Sequence, residues 1–363
     1  VASDTTVETG PPPTPERTRR ARRWLRGLGP IVLALLGSFV IGGVMIALSG
    51  DNPFTAYGAI LRGALGDPYN IASTLARAMP IVGAGICAAL AFKAGLINLG
   101  GEGQLVLGGL AAILVALYAP GPRVAVLALA ILAALLVGGL WALMTAWFET
   151  AFGVPILISS LLLNFVAIGF VSYMVNFPLI EPGGARSQTA MVVEGARLPR
   201  LFAGSPLSAG LFLLIAVIAA VTFVLYRTPA GYEIRMFGAN PDFARAGGVD
   251  AVRLALLTML ASGAIGGLTG AIQVLGVHYR LIDGALTGPG YAWTGVMAAI
   301  LANNNPFGVV AAGLFFAAVQ TGAAGMERAT SVPSEISFVV QAVMILLVAS
   351  RGAFQGIRGR DTA

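Results

Sequence analysis

The sequence predicts an all-α membrane protein: about ten transmembrane helices in two inverted five-helix repeats, with broken helices at the midplane. Three observations lead there. The chain is 57% apolar and 10% charged, with a mean hydropathy of +0.85, whereas a soluble domain carries about 25% charged residues. Apolar runs close to the ~20 residues that cross the hydrocarbon recur along the chain. And one stretch occurs twice: Leu99–Leu114 lies over Leu286–Leu301 without gaps, identical at eight of sixteen positions. Each copy starts with a glycine-rich break and runs into an apolar helix. The register holds upstream, with Gly83 over Gly270 and Lys93 over Arg280, and downstream, with Gly121 over Gly308. An interrupted apolar segment at matching places in two halves points to an internally repeated transporter.

The elements follow in order. Residues 1–23 are polar, with Pro11-Pro12-Pro13 and then Arg17, Arg19, Arg20, Arg22 and Arg23; such a segment cannot bury a core and reads as a disordered basic tail. The membrane domain is placed at 24–350, with repeats at about 30–177 and 206–350. Helix one is expected at about 30–49, an outer interfacial helix within 50–70, and further crossings at about 71–92, 102–119, 123–148 and from Pro155 to Phe177. A polar loop at 178–205 carries Glu181, Arg186, Glu194, Arg197 and Arg200. Crossings at about 206–226, 254–277, 285–302, 306–325 and 333–350 complete the count, and 351–363 forms a second basic tail. Arginines in both tails and in the loop 227–253 place these in the cytoplasm by the positive-inside rule. Five crossings per repeat, an odd number, turn the second copy over. Arg77, near the outer end of its helix, is expected to snorkel to the interface.

Composition also excludes chemistry. The single histidine, His278, cannot build a histidine metal cluster. The single lysine, Lys93, is followed by Ala94, so the chain has no Gly-Lys-Ser/Thr phosphate loop. Any ATP hydrolysis belongs to another polypeptide. The single cysteine, Cys87, sits in an apolar run and reads as a small core residue.

Within the loop 227–253, Asn240-Pro241-Asp242 reads as a helix start, with asparagine as cap and proline in the first turn. Gly247-Gly248 ends that helix. A short rigid helix shown to the cytoplasm suits docking on a partner, and equally a solvated connector.

The ordered set of motifs resembles the permease subunits of bacterial ABC importers for nucleosides and simple sugars, in the branched-chain amino acid/ribose/nucleoside permease family. The matching segments are Ile97-Asn-Leu-Gly-Gly-Glu-Gly-Gln104, Phe152-Gly-Val-Pro155 with Leu162-Leu-Asn164, Thr228-Pro-Ala-Gly-Tyr-Glu233, Gly238-Ala-Asn-Pro-Asp242 with Ala244-Arg245, and Asn305-Pro-Phe-Gly308. They span roughly residues 30–350. Asn303-Asn-Asn305 and the bulky Trp293 depart from the family pattern.

The resemblance implies a plasma-membrane subunit without enzymatic activity or cofactor of its own. It implies a second permease subunit, identical or different, and an ABC ATPase that binds ATP and Mg. It also implies an extracellular solute-binding lipoprotein, and no nucleic acid. ATPase coupling falls to Glu233, Arg235, Asn240, Pro241, Asp242 and Arg245. The substrate-pathway candidates are argued from chemistry. Asn98, Glu102 and Gln104 bring donors and acceptors to the first break. Asn164 lies mid-helix, and Tyr291 and Trp293 offer rings at the second break. Glu102 is ionisable inside a membrane segment; its other role would be a cap at a helix N-terminus. Asn164 suits either the pathway or a bond to a neighbouring helix. Gln273 and Gln341 are weaker cases of the same kind. An ion-coupled secondary transporter is the alternative reading, disfavoured by the scarcity of acidic residues in the helices.

Overall fold

The computed structural model describes residues 36–184, 186–330, 332–343 and 346. Both predicted tails, and the first residues of helix one, lie outside them. The chain forms two compact units, one of residues up to Pro53 together with those from Ile336, the other Phe54–Glu335. The first unit holds α1 (Leu36–Leu48) and the start of a helix at residue 336. Everything that follows concerns the second.

The described residues are helical, apart from turns, loops and three isolated β-bridges. In order come α2 (Pro53–Leu65), α3 (Pro68–Lys93), α4 (Gly101–Tyr118), α5 (Arg123–Phe152), α6 (Ile156–Asn176), α7 (Gly210–Arg227), α8 (Pro229–Ala239), α9 (Pro241–Ala246), α10 (Ala251–Gln273), α11 (Tyr291–Leu301) and α12 (Pro306–Ala329). Among the described residues, seven helices are long and apolar enough to cross a membrane, by length and composition. Four helices start with one device: a side-chain acceptor at the cap, then proline. The caps are Asp67, Thr228, Asn240 and Asn305, each accepting from a backbone N–H of the first turn. Proline is harmless there because its missing N–H would have no helical partner. Gly153, left-handed at φ 70°, closes α5, and Pro155 lets α6 begin.

α3 is the central helix, buried at every residue from Ala78 to Ala91. Two crossings of small residues organise the bundle around it. α4 crosses α10 where a Cβ on Gly108 would run into the Gly267 backbone, and α11 crosses α3 where one on Gly295 would come 2.6 Å from the Gly85 nitrogen. Gly108 and Gly295 are the same position of the two sequence copies. Each copy's second helix therefore packs on the other copy's first. Helices in lipid gain from such close backbone approach, since lipid tails offer no hydrophobic drive between them.

α3, about 39 Å long by its rise, also fixes the two ends of the unit. At its N-terminus sits α2, with Thr74 donating to the Ala64 carbonyl at 2.8 Å and Asn70 to the Arg62 carbonyl at 3.1 Å. At its C-terminus sits α8, where Gly238 lies against the Lys93 carbonyl, and Lys93 Nζ donates to the Asn303 carbonyl at 3.2 Å.

Three expectations are corrected. The crossing placed at 285–302 is an eleven-residue helix beginning at Tyr291, about 16 Å long and too short to span alone. Gly284 and Gly290, both at positive φ, keep residues 279–290 out of the helix. The loop 227–253 holds two helices, because Thr228-Pro229 starts α8 with the same device that starts α9. And Arg77 lines a partly open cavity.

Candidate functional site

The first break, residues 94–100, turns at Gly95 (φ 74°) and is held by side chains from other helices. Asn164 of α6 donates to the Leu99 carbonyl at 2.8 Å and accepts from the Gly103 N–H at 2.8 Å. Ser160 accepts from the Leu99 N–H at 3.2 Å. Asn98 accepts from the Gly100 N–H at 2.9 Å, donates to Ser262 of α10 at 3.0 Å, and is linked to Gln104 at 3.1 Å. Ser262 in turn donates to the Cys87 carbonyl at 2.8 Å. Asn98, Gln104 and Asn164 are all buried. A buried helix end needs partners for its free N–H and C=O groups; Asn98, Ser160 and Asn164 supply them, and Gln104 holds the Asn98 amide in place.

The second break, 279–290, is fastened by the 178–205 loop. α10 ends in a π-helical turn, Val274–His278, and Tyr279 follows at φ 57°. The loop pairs with it through Thr189 N–H to the Leu281 carbonyl, Val192 N–H to the Tyr279 carbonyl and Leu198 N–H to the Leu275 carbonyl, each at 2.9 Å. Arg280 bridges Glu181 at 2.9 Å, and the Arg197 and Arg200 guanidiniums lie over the Tyr279 ring, 4.8 and 5.2 Å from its centre.

The breaks deliver the N-termini of α4 and α11 to one place. A Cβ on Gly101 would stand 3.8 Å from that of Ala292, and Trp293 Nε1 donates to Glu102 Oε2 at 3.2 Å. Glu102 is half-buried between two helix N-termini, where the macrodipoles favour a negative charge. So Glu102 and Trp293 come together, Asn98 and Gln104 form a second pair, and Asn164 serves the break itself. Tyr291, buried, faces elsewhere.

Tyr291 lies at a cavity of about 610 Å³ at the α2 end. Arg62, Arg77, Gln273, His278, Thr321 and Arg328 also line it; of these the sequence offered only Gln273, as a weaker candidate. One signal could have found it: Ser73 and Arg77, spaced i and i+4, share a face of a membrane helix, and an ionisable residue there is a site candidate as Glu102 was.

At the other end, α8 and α9 form a capped pair. Asn240 Oδ1 accepts from the Asp242 and Phe243 N–H groups at 3.1 and 3.0 Å, as the sequence predicts. Arg245 bridges Asp242 at 3.1 Å, Arg235 stacks on Tyr226, and Glu233, Tyr232 and Phe243 are exposed.

A family of permease components of the branched-chain amino acid transport system matches residues 70–349. The chain belongs to this family. The permease is 34% identical to a glucose ABC transporter permease protein of Haloferax volcanii, over 95% of this chain and 92% of that one. It is 31% identical to a guanosine ABC transporter permease protein of Bacillus subtilis, over 92% and 96%, and 27% identical to a nucleoside ABC transporter permease protein of Lactococcus lactis, over 88% and 89%. The relatives support the importer permease and not the ion-coupled carrier.

Proposed function

We propose that this permease forms the membrane pathway of an ABC importer for a nucleoside, the simple sugars being the neighbouring substrate class, and that a separate ATPase drives it. The observation that carries this reading is the meeting of two interrupted helices at Glu102 and Trp293, in a bundle whose ends bear different fittings. Unpaired backbone at membrane depth is tolerated where it is buried in protein or lines a cavity, and half-helix N-termini at a repeat interface are a recurrent substrate site. The relatives' names supply the solute class.

In this reading the chain crosses the membrane about ten times with both termini in the cytoplasm, and its halves are inverted repeats. The reciprocal crossings at Gly108 and Gly295 support the second point, and the arginines of the tails and of residues 227–253 support the first. α8 and α9 then face the cytoplasm. Glu233, Arg235, Asn240, Pro241, Asp242 and Arg245 meet the ATPase, which holds ATP and Mg. The α2 end faces outward to a solute-binding lipoprotein, and a second permease subunit completes the complex in the plasma membrane. Asn98, Gln104 and Asn164 hold the first break in shape, while Glu102, Tyr291 and Trp293 face the solute's route.

The test is uptake of labelled guanosine, uridine, ribose and glucose in cells stripped of other carriers, with the cognate ATPase and binding protein co-expressed. Nucleoside uptake that needs all three proteins is expected. Sugar uptake alone would move the chain to the sugar branch, and uptake of none of the four would overturn the reading.

A further inference from the structure

The cavity at the α2 end is lined by three guanidinium groups and no carboxylate. Two of the three have a local reason to be there. Arg62 and Arg328 stand in the last turns of α2 and α12, where a cation offsets the negative end of the helix macrodipole. Arg77 has none. It lies about 14 Å along α3 from Pro68 by helix rise, and neither ion pair of the described residues includes it. On the same cavity's lining stand polar atoms without partners: Gln273 Nε2 on a side chain 2% exposed, His278 Nε2 and Thr321 Oγ1. A buried donor left unpaired is costly unless something occupies its direction. The charged groups of the cavity are thus all cationic donors, with Tyr291 as a ring at its edge. Its volume falls within the range of small-molecule sites.

We propose that this cavity is a solute-holding chamber that reads paired hydrogen-bond acceptors, with Arg77 as the selecting side chain. Two acceptors set side by side match the parallel N–H bonds of a guanidinium. The oxo and imine edge of a 6-oxopurine nucleoside presents such a pair, as does an oxyanion; adenine turns a donor to the same place. Cationic solutes are turned away by the charge of the lining. The inference rests on the permease reading for the role of the chamber, and its test does not need transport.

Ala324, on the cavity wall, is replaced by cysteine in the full-length permease in membranes. Cys87 is buried, so the unsubstituted chain gives the background. The introduced thiol is labelled with an anionic sulfonate thiosulfonate reagent and with its cationic trimethylammonium counterpart. The anionic reagent should react about tenfold faster, and Arg77→Gln should shrink that preference. Guanosine should slow labelling more than adenosine or glucose. With Arg77→Lys the charge preference should stay and guanosine protection should weaken about tenfold. Inorganic phosphate protecting in place of guanosine would assign the acceptor pair to an oxyanion. Equal rates for the two reagents would overturn the proposal. So would faster reaction of the cation, no labelling at all, or protection that is absent or unaffected by Arg77→Lys.

Discussion

At the scale of single residues, the side chains bonded to the first break and the carboxylate proposed for the solute's route make different predictions. Asn164 bonds both sides of the break, and alanine there removes two buried hydrogen bonds at about 1–3 kcal/mol each. The purified Asn164→Ala protein should unfold at clearly lower temperature than wild type in the same detergent, with uptake falling in proportion to folded protein. Glu102 has one side-chain partner, the Trp293 indole. Glu102→Gln should keep the protein folded and lower nucleoside uptake. Glu102→Ala should lower it further, by about tenfold or more, because the acceptor and the favourable charge at the helix start both go. Trp293→Phe keeps the ring and removes the N–H, so its effect and that of Glu102→Gln should fall well short of additive. Full activity of Glu102→Ala would make that carboxylate a structural cap.

At the scale of elements, docking and packing make separate predictions. Asp242 and Arg245 pair on the exposed face of α9. Replacing both by alanine should leave insertion and thermal stability nearly unchanged, since an exposed pair is worth about 0–1 kcal/mol. Uptake should nevertheless be lost, and ATP hydrolysis should cease to respond to the binding protein. Unchanged uptake would remove α9 from the docking role. Gly108→Val should fail differently, preventing folding by forcing α4 off α10. Much of this was legible in the sequence. A cap-proline pair marked α9, apolar runs marked α3 and α12, and the repeated stretch marked both breaks. The start of α11 was not, because Leu286 and Ala285 look helical by composition while Gly284 and Gly290 take left-handed turns. The roles of Asn98 and Gln104 were not, because amides suit a solute and a buried backbone equally; only Asn98's bonds to Ser262 and the Gly100 N–H, and Gln104's bond to Asn98, decide. Arg77 was misplaced because helix position alone does not say whether a side chain faces lipid or a cavity.

At the scale of the whole molecule, the claim is directional. α2 and the arginine-lined cavity stand at one end of α3, and α8 stands at the other. Photo-crosslinkers at Tyr57 or Arg62 should capture the binding protein and not the ATPase, and those at Tyr232 or Phe243 the reverse. The most direct measurement is accumulation of labelled guanosine in proteoliposomes holding the permease and its ATPase, with the binding protein on the outer side. Accumulation should require ATP hydrolysis and the binding protein, and should drop with Glu102→Ala and with the Asp242/Arg245 double replacement. Accumulation driven by a sodium or proton gradient without the ATPase would contradict the assignment, and so would none at all of either guanosine or glucose.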